Sequence, residues 1–349
     1  APVNEANNFV VANVDLLELN RSERIIESDK TRIGITGVLG VEEQKKINRN
    51  DEDVVITHPG VGIKQARLKF QQAKTKFNVL LAHASLKETE KIVRAFPTTF
   101  DVVVTAGGAG EPTLEPATIE GSKAKIVQVG TKGMYVGLVG VFDDQAAPIR
   151  YVRVSLDAKF ADSPEVLEIF GDYQSQLQIQ KLDGLGIKPI KHPTGNRFVG
   201  HEKCAECHTT AADIFENTPH FHATESLIHP PNSRSQIPRH FDPECLSCHV
   251  TGWEPQKYLP FESGYLNVAQ DSLHSNGCEN CHGPGSAHVA AEEGSVNVSQ
   301  TEIERLREQM RLTLTEAKET KCFECHDIDN SPDFEFDEYW EQVKHVGKD

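Results

Sequence analysis

Four stretches of the sequence place two cysteines three residues apart with a histidine directly after the second. They are Cys204-Ala-Glu-Cys207-His208, Cys245-Leu-Ser-Cys248-His249, Cys278-Glu-Asn-Cys281-His282 and Cys322-Phe-Glu-Cys325-His326, and together they use all 8 cysteines. Two thiols at this spacing reach the two vinyl groups of one haem and form thioethers, while the next residue aims an imidazole at the iron. An even cysteine count also fits a disulfide framework, and paired Cys-x-x-Cys also fits zinc. Neither alternative accounts for a histidine after every pair. The expectation is four covalently bound haem c groups, with His208, His249, His282 and His326 as proximal iron ligands.

Each iron then needs a sixth ligand or keeps an open position. Met134 and Met310 are the 2 methionines of the chain, too few for four haems, whereas eleven histidines remain outside the motifs. Two-histidine ligation is therefore the default, and without a methionine ligand low potentials are expected. The stretch from Cys204 to His326 is short of Leu, Ile and Val and rich in Pro, Gly, Ser and His. It cannot build an ordinary apolar core, so the haems must supply most of it, wrapped by short helices and long loops. Helices are expected over Thr209 to Glu216, Val289 to Glu293, Glu302 to Glu316 and Phe336 to His345.

The run Phe198-Val-Gly-His-Glu-Lys-Cys204, then Thr218-Pro-His220, Cys245-Leu-Ser-Cys248-His249-Val-Thr-Gly252 and Gly277-Cys278-Glu-Asn-Cys281-His282-Gly-Pro-Gly-Ser-Ala-His288 resembles the tetrahaem cytochrome c-554 family. The resemblance covers about residues 198–349. It implies distal ligands a short helix beyond the first motif, after the Gly-Pro-Gly, and near the end of the domain, which fall on His220, His288 and His345. It also implies that the second haem, at Cys245 and Cys248, can lack a distal side chain. His240 and His274 lie near enough in sequence to fill that position.

The N-terminal half obeys different chemistry. It has no cysteine, and 13 of the 15 histidines lie at or after His192. Short β-rich apolar runs occur at Phe9 to Val14, Arg32 to Val38, Asn78 to Ala82, Asp101 to Thr105, Lys125 to Val129, Tyr135 to Phe142 and Arg150 to Leu156. Helical patterns fill Lys64 to Lys76 and Leu86 to Phe96, the second closed by Pro97, and a further helix runs over Pro164 to Leu182. Repeated β-α-β units argue an α/β layered domain. The expected organisation is an α/β domain over 1–183 including the trailing helix, a linker over 184–197 carrying Gly184, Gly186, Pro193 and Gly195, and a mainly α, loop-rich multihaem cytochrome c domain over 198–349.

The runs Ile33-Gly-Ile-Thr-Gly37, Leu80-Leu-Ala-His83, Asp101-Val-Val-Val-Thr-Ala-Gly107-Gly-Ala-Gly110 and Gly130-Thr-Lys-Gly133 resemble the later part of the calcineurin-like metallophosphoesterase domain of nucleotidases. That family holds two metal ions with an Asp-x-His, a Gly-Asp and an Asn-His near its start, then a single His, then Gly-His-x-His. His83 fits the single His, but Gly107-Gly108-Ala109-Gly110 stands where Gly-His-x-His belongs, and the first three motifs are expected upstream of this chain. A dinuclear site cannot be assembled from these residues. His83 is expected to be a buried, hydrogen-bonded strand-end histidine, the Gly-rich stretch a turn, and the domain a partial, degenerate scaffold that docks the haem module in a homo- or hetero-oligomer.

The balance of 36 Lys and Arg against 52 Asp and Glu gives a net charge of -16, which repels nucleic acid and anionic membrane. No apolar run is long enough to span a bilayer, and a signal sequence is expected to have been removed already. The reading is an electron-transfer protein working between a redox donor and acceptor in the periplasm or cell exterior, with no catalytic residue assigned and no phosphoesterase activity. Two rivals are a haem enzyme acting on a small nitrogen or sulfur species at one five-coordinate iron, and a subunit of a conductive cytochrome filament.

Overall fold

The computed structural model describes residues 9–347 apart from 17–19, 29–30, 48–53, 108–110, 131, 158, 232–234, 268–269, 328–329, 332 and 346. Gly108, Ala109 and Gly110 of the Gly-rich stretch therefore lie outside the described residues. The chain divides into two compact units, 1–160 and 161–349.

In the first unit the strands are β1 (Val14–Leu16), β2 (Arg24–Ser28), β3 (Thr31–Leu39), β4 (Val54–Ile56), β5 (Phe77–His83), β6 (Val102–Thr105), β7 (Ala117–Thr118), β8 (Lys125–Gln128), β9 (Tyr135–Val141) and β10 (Ile149–Ser155). Helices α1 (Val41–Gln44), α2 (Pro59–Ala73) and α3 (Leu86–Ala95) lie between them. A six-stranded sheet runs in the order β2-β3-β5-β6-β8-β7. Its four central strands are parallel and its two edges antiparallel. This is the α/β layered architecture expected from the alternating runs.

Both faces of the parallel strands are covered, which is why they read as near-continuous apolar runs. Ile63, Ala66 and Phe70 of α2 and Ile92 and Val93 of α3 pack on Val38, Leu80 and Val103. On the other face Val139, Ile149 and Tyr151 of the β9-β10 hairpin pack on Phe77, Val102 and Val127. Gly34 permits close approach of α2, because a Cβ there would lie 2.6 Å from the Phe70 ring. The helix starts have local causes. The His58 ring nitrogen accepts from Gly60 N–H at 3.1 Å ahead of Pro59, and Ser85 Oγ accepts from Glu88 N–H at 3.3 Å.

Some local expectations need correction. The strand expected over Phe9 to Val14 is displaced to β1, and β2, β4 and β7 had no clear signal because each is short or exposed at an edge. His83 does end β5, but it is exposed rather than buried.

The domain boundary also moves. Helix α4 (Pro164–Gly184) belongs to the second unit, not the first. Gln174 donates to Asp242 Oδ2 at 3.0 Å, the Arg239 guanidinium lies 5.3 Å over the Phe170 ring, and Leu182 packs on a buried cluster of Leu227, Leu246, Val250, Trp253, Tyr265 and Leu273. Residues 184–197 are not a free linker either. Ile190 forms a β-bridge to Phe261, and His192 packs edge-on against Phe198 and Phe261 at 5.7 and 4.7 Å between ring centroids.

The second unit is built from short helices, namely α5 (His201–Ala205), α6 (Thr209–Glu216), α7 (Glu225–Ile228), α8 (Pro243–His249), α9 (Cys278–His282), α10 (Ser286–Glu292), α11 (Gln300–Gln309), α12 (Leu314–Glu316) and α13 (Phe336–Val343). The helix expected from Glu302 to Glu316 is two helices. The Met310 carbonyl is turned out to accept from the His282 ring at 2.6 Å, and Thr313 with Glu316 forms a capping box that starts α12 afresh. Among the described residues no helix is long and apolar enough to cross a membrane.

Candidate haem-binding centre

Each Cys-x-x-Cys-His sequence forms about one helical turn. The amide of His208 donates to the Cys204 carbonyl at 2.9 Å, and that of His326 to the Cys322 carbonyl at 2.9 Å. The second and third motifs lie within α8 and α9. A single turn puts residues i, i+3 and i+4 on one face, so both thiols and the imidazole of each motif point the same way. The start of α8 is set by Asp242, which accepts from Glu244 N–H at 3.1 Å. None of the eight cysteines is joined in a disulfide.

Opposite three of the four motif histidines stands a second histidine from elsewhere in the chain. The ring of His288 on α10 faces His208 with centroids 6.3 Å apart. His220, in the turn after α6, faces His326 at 5.9 Å. His345, just beyond α13, faces His282 at 5.8 Å. Two imidazoles on opposite sides of one iron require centroids roughly 6 Å apart, from about 2 Å for each iron–nitrogen bond and about 1 Å from each nitrogen to its ring centre. All three separations meet that requirement.

The rings are also oriented. The Nδ1 of His249 bonds the Ala223 carbonyl at 2.7 Å, that of His282 the Met310 carbonyl at 2.6 Å, that of His326 the Ser331 hydroxyl at 2.9 Å and that of His345 the Val343 carbonyl at 3.0 Å. Engaging Nδ1 leaves Nε2 for a metal and fixes the ring plane. Burial lowers the pKa of His220 to about 4, and it also lowers those of His249, His282, His288 and His326, so these imidazoles are held in the neutral form that binds metal.

Among the described residues no three His, Cys, Asp or Glu side chains cluster to hold a bare metal ion. The facing pairs supply two axial nitrogens and nothing equatorial. A macrocycle that brings its own four nitrogens fits this donor set; an isolated zinc or iron ion does not. The buried Nδ1 of His288, which has no hydrogen-bond partner, belongs to one of these pairs.

The histidine of the second motif differs. Among the described residues no histidine ring faces His249. His240 instead lies against Phe241 at 4.0 Å and His274 against Tyr265 at 5.3 Å, so neither is brought opposite His249. The Nδ1 of His249 is engaged by the Ala223 carbonyl at 2.7 Å and approached by the Ser226 hydroxyl at 3.4 Å.

The motifs also touch one another. The sulfurs of Cys204 and Cys278 lie close together, as do those of Cys248 and Cys325, and Cys281 lies within electrostatic reach of Cys322. Sequence reasoning had no signal for these contacts or for the carbonyls that orient the rings. It also overlooked Glu279, whose buried carboxylate inside the third motif accepts from three backbone N–H groups.

In the first unit a largely apolar cavity of about 400 Å³ opens at the C-terminal ends of β3, β5 and β6, lined by Leu39, Val104, Ala106, Val129 and His83 among others. One histidine in an apolar wall provides no site for two metal ions.

Residues 203–283 match the family described as cytochrome c554 and c-prime. Cytochrome c-554 of Nitrosomonas europaea is 32% identical over 96 residues, covering 25% of this chain and 39% of that protein. Among solved structures, the reduced state of cytochrome c554 from Nitrosomonas europaea aligns at 23% identity and a TM-score of 0.32 over 43% of this chain and 84% of its own. A 5'-nucleotidase precursor from Thermus thermophilus aligns at 20% identity and a TM-score of 0.40 over 50% of this chain and 39% of its own. The chain thus spans well under two thirds of the curated relative and of that nucleotidase.

Proposed function

We propose that this chain is a multihaem c-type cytochrome that carries electrons between redox partners on the outer side of the cytoplasmic membrane. The observation that carries the reading is the three facing histidine pairs, each joining a motif histidine to a non-motif one at the separation an iron between them demands. Haem c would be held at Cys204 and Cys207, Cys245 and Cys248, Cys278 and Cys281, and Cys322 and Cys325. His208 with His288, His282 with His345, and His326 with His220 are the axial pairs of the first, third and fourth haems. Haem supplies reversible one-electron iron chemistry, and the chain supplies ligands, burial and spacing.

The contacts between motifs support a continuous path. First and third sites meet at Cys204 and Cys278, third and fourth approach at Cys281 and Cys322, and fourth and second meet at Cys325 and Cys248. These approaches support a spatial order of first, third, fourth, second. Thioether attachment supports a location in the periplasm or outside the cell, and the first unit serves as a docking scaffold without phosphoesterase activity.

A second reading, favoured by the unfaced ring of His249, is that the second haem is five-coordinate and binds a small nitrogen or sulfur species. One experiment tests both. Haem stoichiometry with electron paramagnetic resonance of the oxidised protein should show four haems per chain, three low-spin and one high-spin. Absence of covalent haem refutes the cytochrome assignment, one to three haems refutes the four-site reading, and four low-spin haems refutes the open site.

A further inference from the structure

The third attachment motif contains a carboxylate that haem attachment does not use. Glu279 is 2% exposed. Its Oε1 accepts from Val199 N–H at 3.0 Å and Gly285 N–H at 2.8 Å, and its Oε2 from Val199 N–H at 3.0 Å and Gly200 N–H at 2.8 Å. Gly200 holds its N–H there with φ +88°, and a Cβ at that position would lie 2.7 Å from Ser272. Carboxylates in two other motifs are neutralised at the surface instead. Glu206 pairs with Lys203 at 2.6 Å and Glu324 with Lys321 at 2.7 Å. Among the described residues Glu279 has no such cation.

The hydrogen-bond geometry selects a charge state. A protonated carboxyl must donate through one oxygen, yet each oxygen here meets two N–H donors and no acceptor. Only the ionised form satisfies every contact, and backbone N–H groups stabilise that form. Burial pulls the other way and raises the carboxyl above its usual range even with these donors in place, but the donor arrangement leaves neither oxygen an acceptor to which a proton could be given.

The location selects the haems affected. Val199 and Gly200 lead into α5, which carries Cys204. Gly285 caps α10, which carries His288. Glu279 itself is on α9 beside Cys278. It lies within electrostatic reach of the Cys204 and Cys278 sulfurs, whereas Glu244 and Asp327 are in reach of Cys248, and Glu324 of Cys281 and Cys325. An anion in a water-free setting favours the more positive, oxidised iron, and no cation among the described residues screens it.

We propose that Glu279 is a buried positioning residue, charged at neutral pH, that depresses the reduction potentials of the first and third haems while its hydrogen bonds hold His288 opposite His208. The inference rests on the cytochrome reading above. It makes the first-third half of the path electron-poor relative to the fourth-second half, and so gives the path a direction.

The test is Glu279→Gln against Glu324→Gln, each expressed with haem attached, with potentials of individual haems followed by a redox titration monitored by paramagnetic resonance. Glu279→Gln should shift electron exchange toward the first and third haems at least tenfold, 59 mV for a one-electron couple. The other two potentials should stay put, and Glu324→Gln should move none by that amount. Four unmoved potentials in haem-loaded Glu279→Gln overturn the proposal and leave the cytochrome reading intact. A wild-type chain without covalent haem overturns both, and haem stoichiometry reveals it before any potential is measured. If Glu279→Gln does not fold, infrared spectra of wild-type protein carrying isotope-labelled glutamate decide at neutral pH. Carboxylate bands alone support the proposal, and a buried protonated-glutamate carbonyl band refutes it.

Discussion

Replacing His220 by alanine tests the axial pairing most directly. The His220 ring faces His326 at 5.9 Å, while its backbone is held independently, its carbonyl accepting from Asn276 N–H at 3.0 Å and Ala223 N–H at 3.2 Å. The substitution therefore removes an imidazole without releasing the segment that carries it. On the assigned ligation one haem in four loses its sixth ligand. The ratio of low-spin to high-spin haem should go from three to one to two and two, a loss of one third of the low-spin signal. The fourth haem should gain affinity for cyanide or nitric oxide, and added imidazole should restore the low-spin signal by entering the vacated space. Paramagnetic resonance of the oxidised variant with full haem content provides the reading. An unchanged low-spin count would refute the pairing of His220 with His326 and, with it, the inference of ligation from ring separation.

Acid tests the same residue without mutation. The folded-state pKa of His220 is lowered to about 4 from the ordinary value of 6.5, so between those values the folded chain binds fewer protons than the unfolded one. Stability thus falls as pH drops from about 6.5 to about 4 and this contribution then levels off, by at most about 3 kcal/mol at 1.36 kcal/mol per pKa unit. Iron coordination would oppose protonation further, so the low-spin spectrum should persist to below about pH 4, as followed by absorbance. Ser331→Ala removes the hydroxyl bonded to His326 Nδ1 at 2.9 Å; the less basic ligand should raise the potential of the fourth haem alone, and an unmoved titration curve counts against this orienting role. Leu80→Ala, at a fully buried site in the first unit, should cost roughly 2 to 5 kcal/mol in thermal unfolding of that unit while leaving haem stoichiometry unchanged.

Secondary structure was legible wherever its cause is local. The helix from Thr209 to Glu216 and the strands β5, β6 and β8 fall where the apolar periodicity puts them, because burial on a sheet or helix face leaves that mark directly in the chain. Failures occur where a distant residue intervenes. Within residues 302–316 the Thr313-x-x-Glu316 capping pattern marks a new start, but the place of the stop at Met310 goes with a hydrogen bond from His282, 28 positions earlier. Helix α4 reads as a trailing element of the first unit by position alone. Its partners Asp242, Arg239 and Ile237 are more than 50 residues away in the chain.

The motifs behind the attachment proposal are legible in the sequence alone, because two thiols and an imidazole within five residues can meet one haem in a single helical turn, and that turn is short-range geometry. The same holds for the α/β class of the first unit and for the absence of a second metal-binding motif at 107–110. Axial pairing was not so determined. His208 and His288 are 80 residues apart, His220 and His326 are 106 apart, and His282 and His345 are 63 apart. Which of eleven spare histidines crosses to which iron depends on how the short helices close around the centre. The unfaced ring of His249 and the unpaired charge of Glu279 are decided in the same way, by what the folded chain brings near them and what it keeps away.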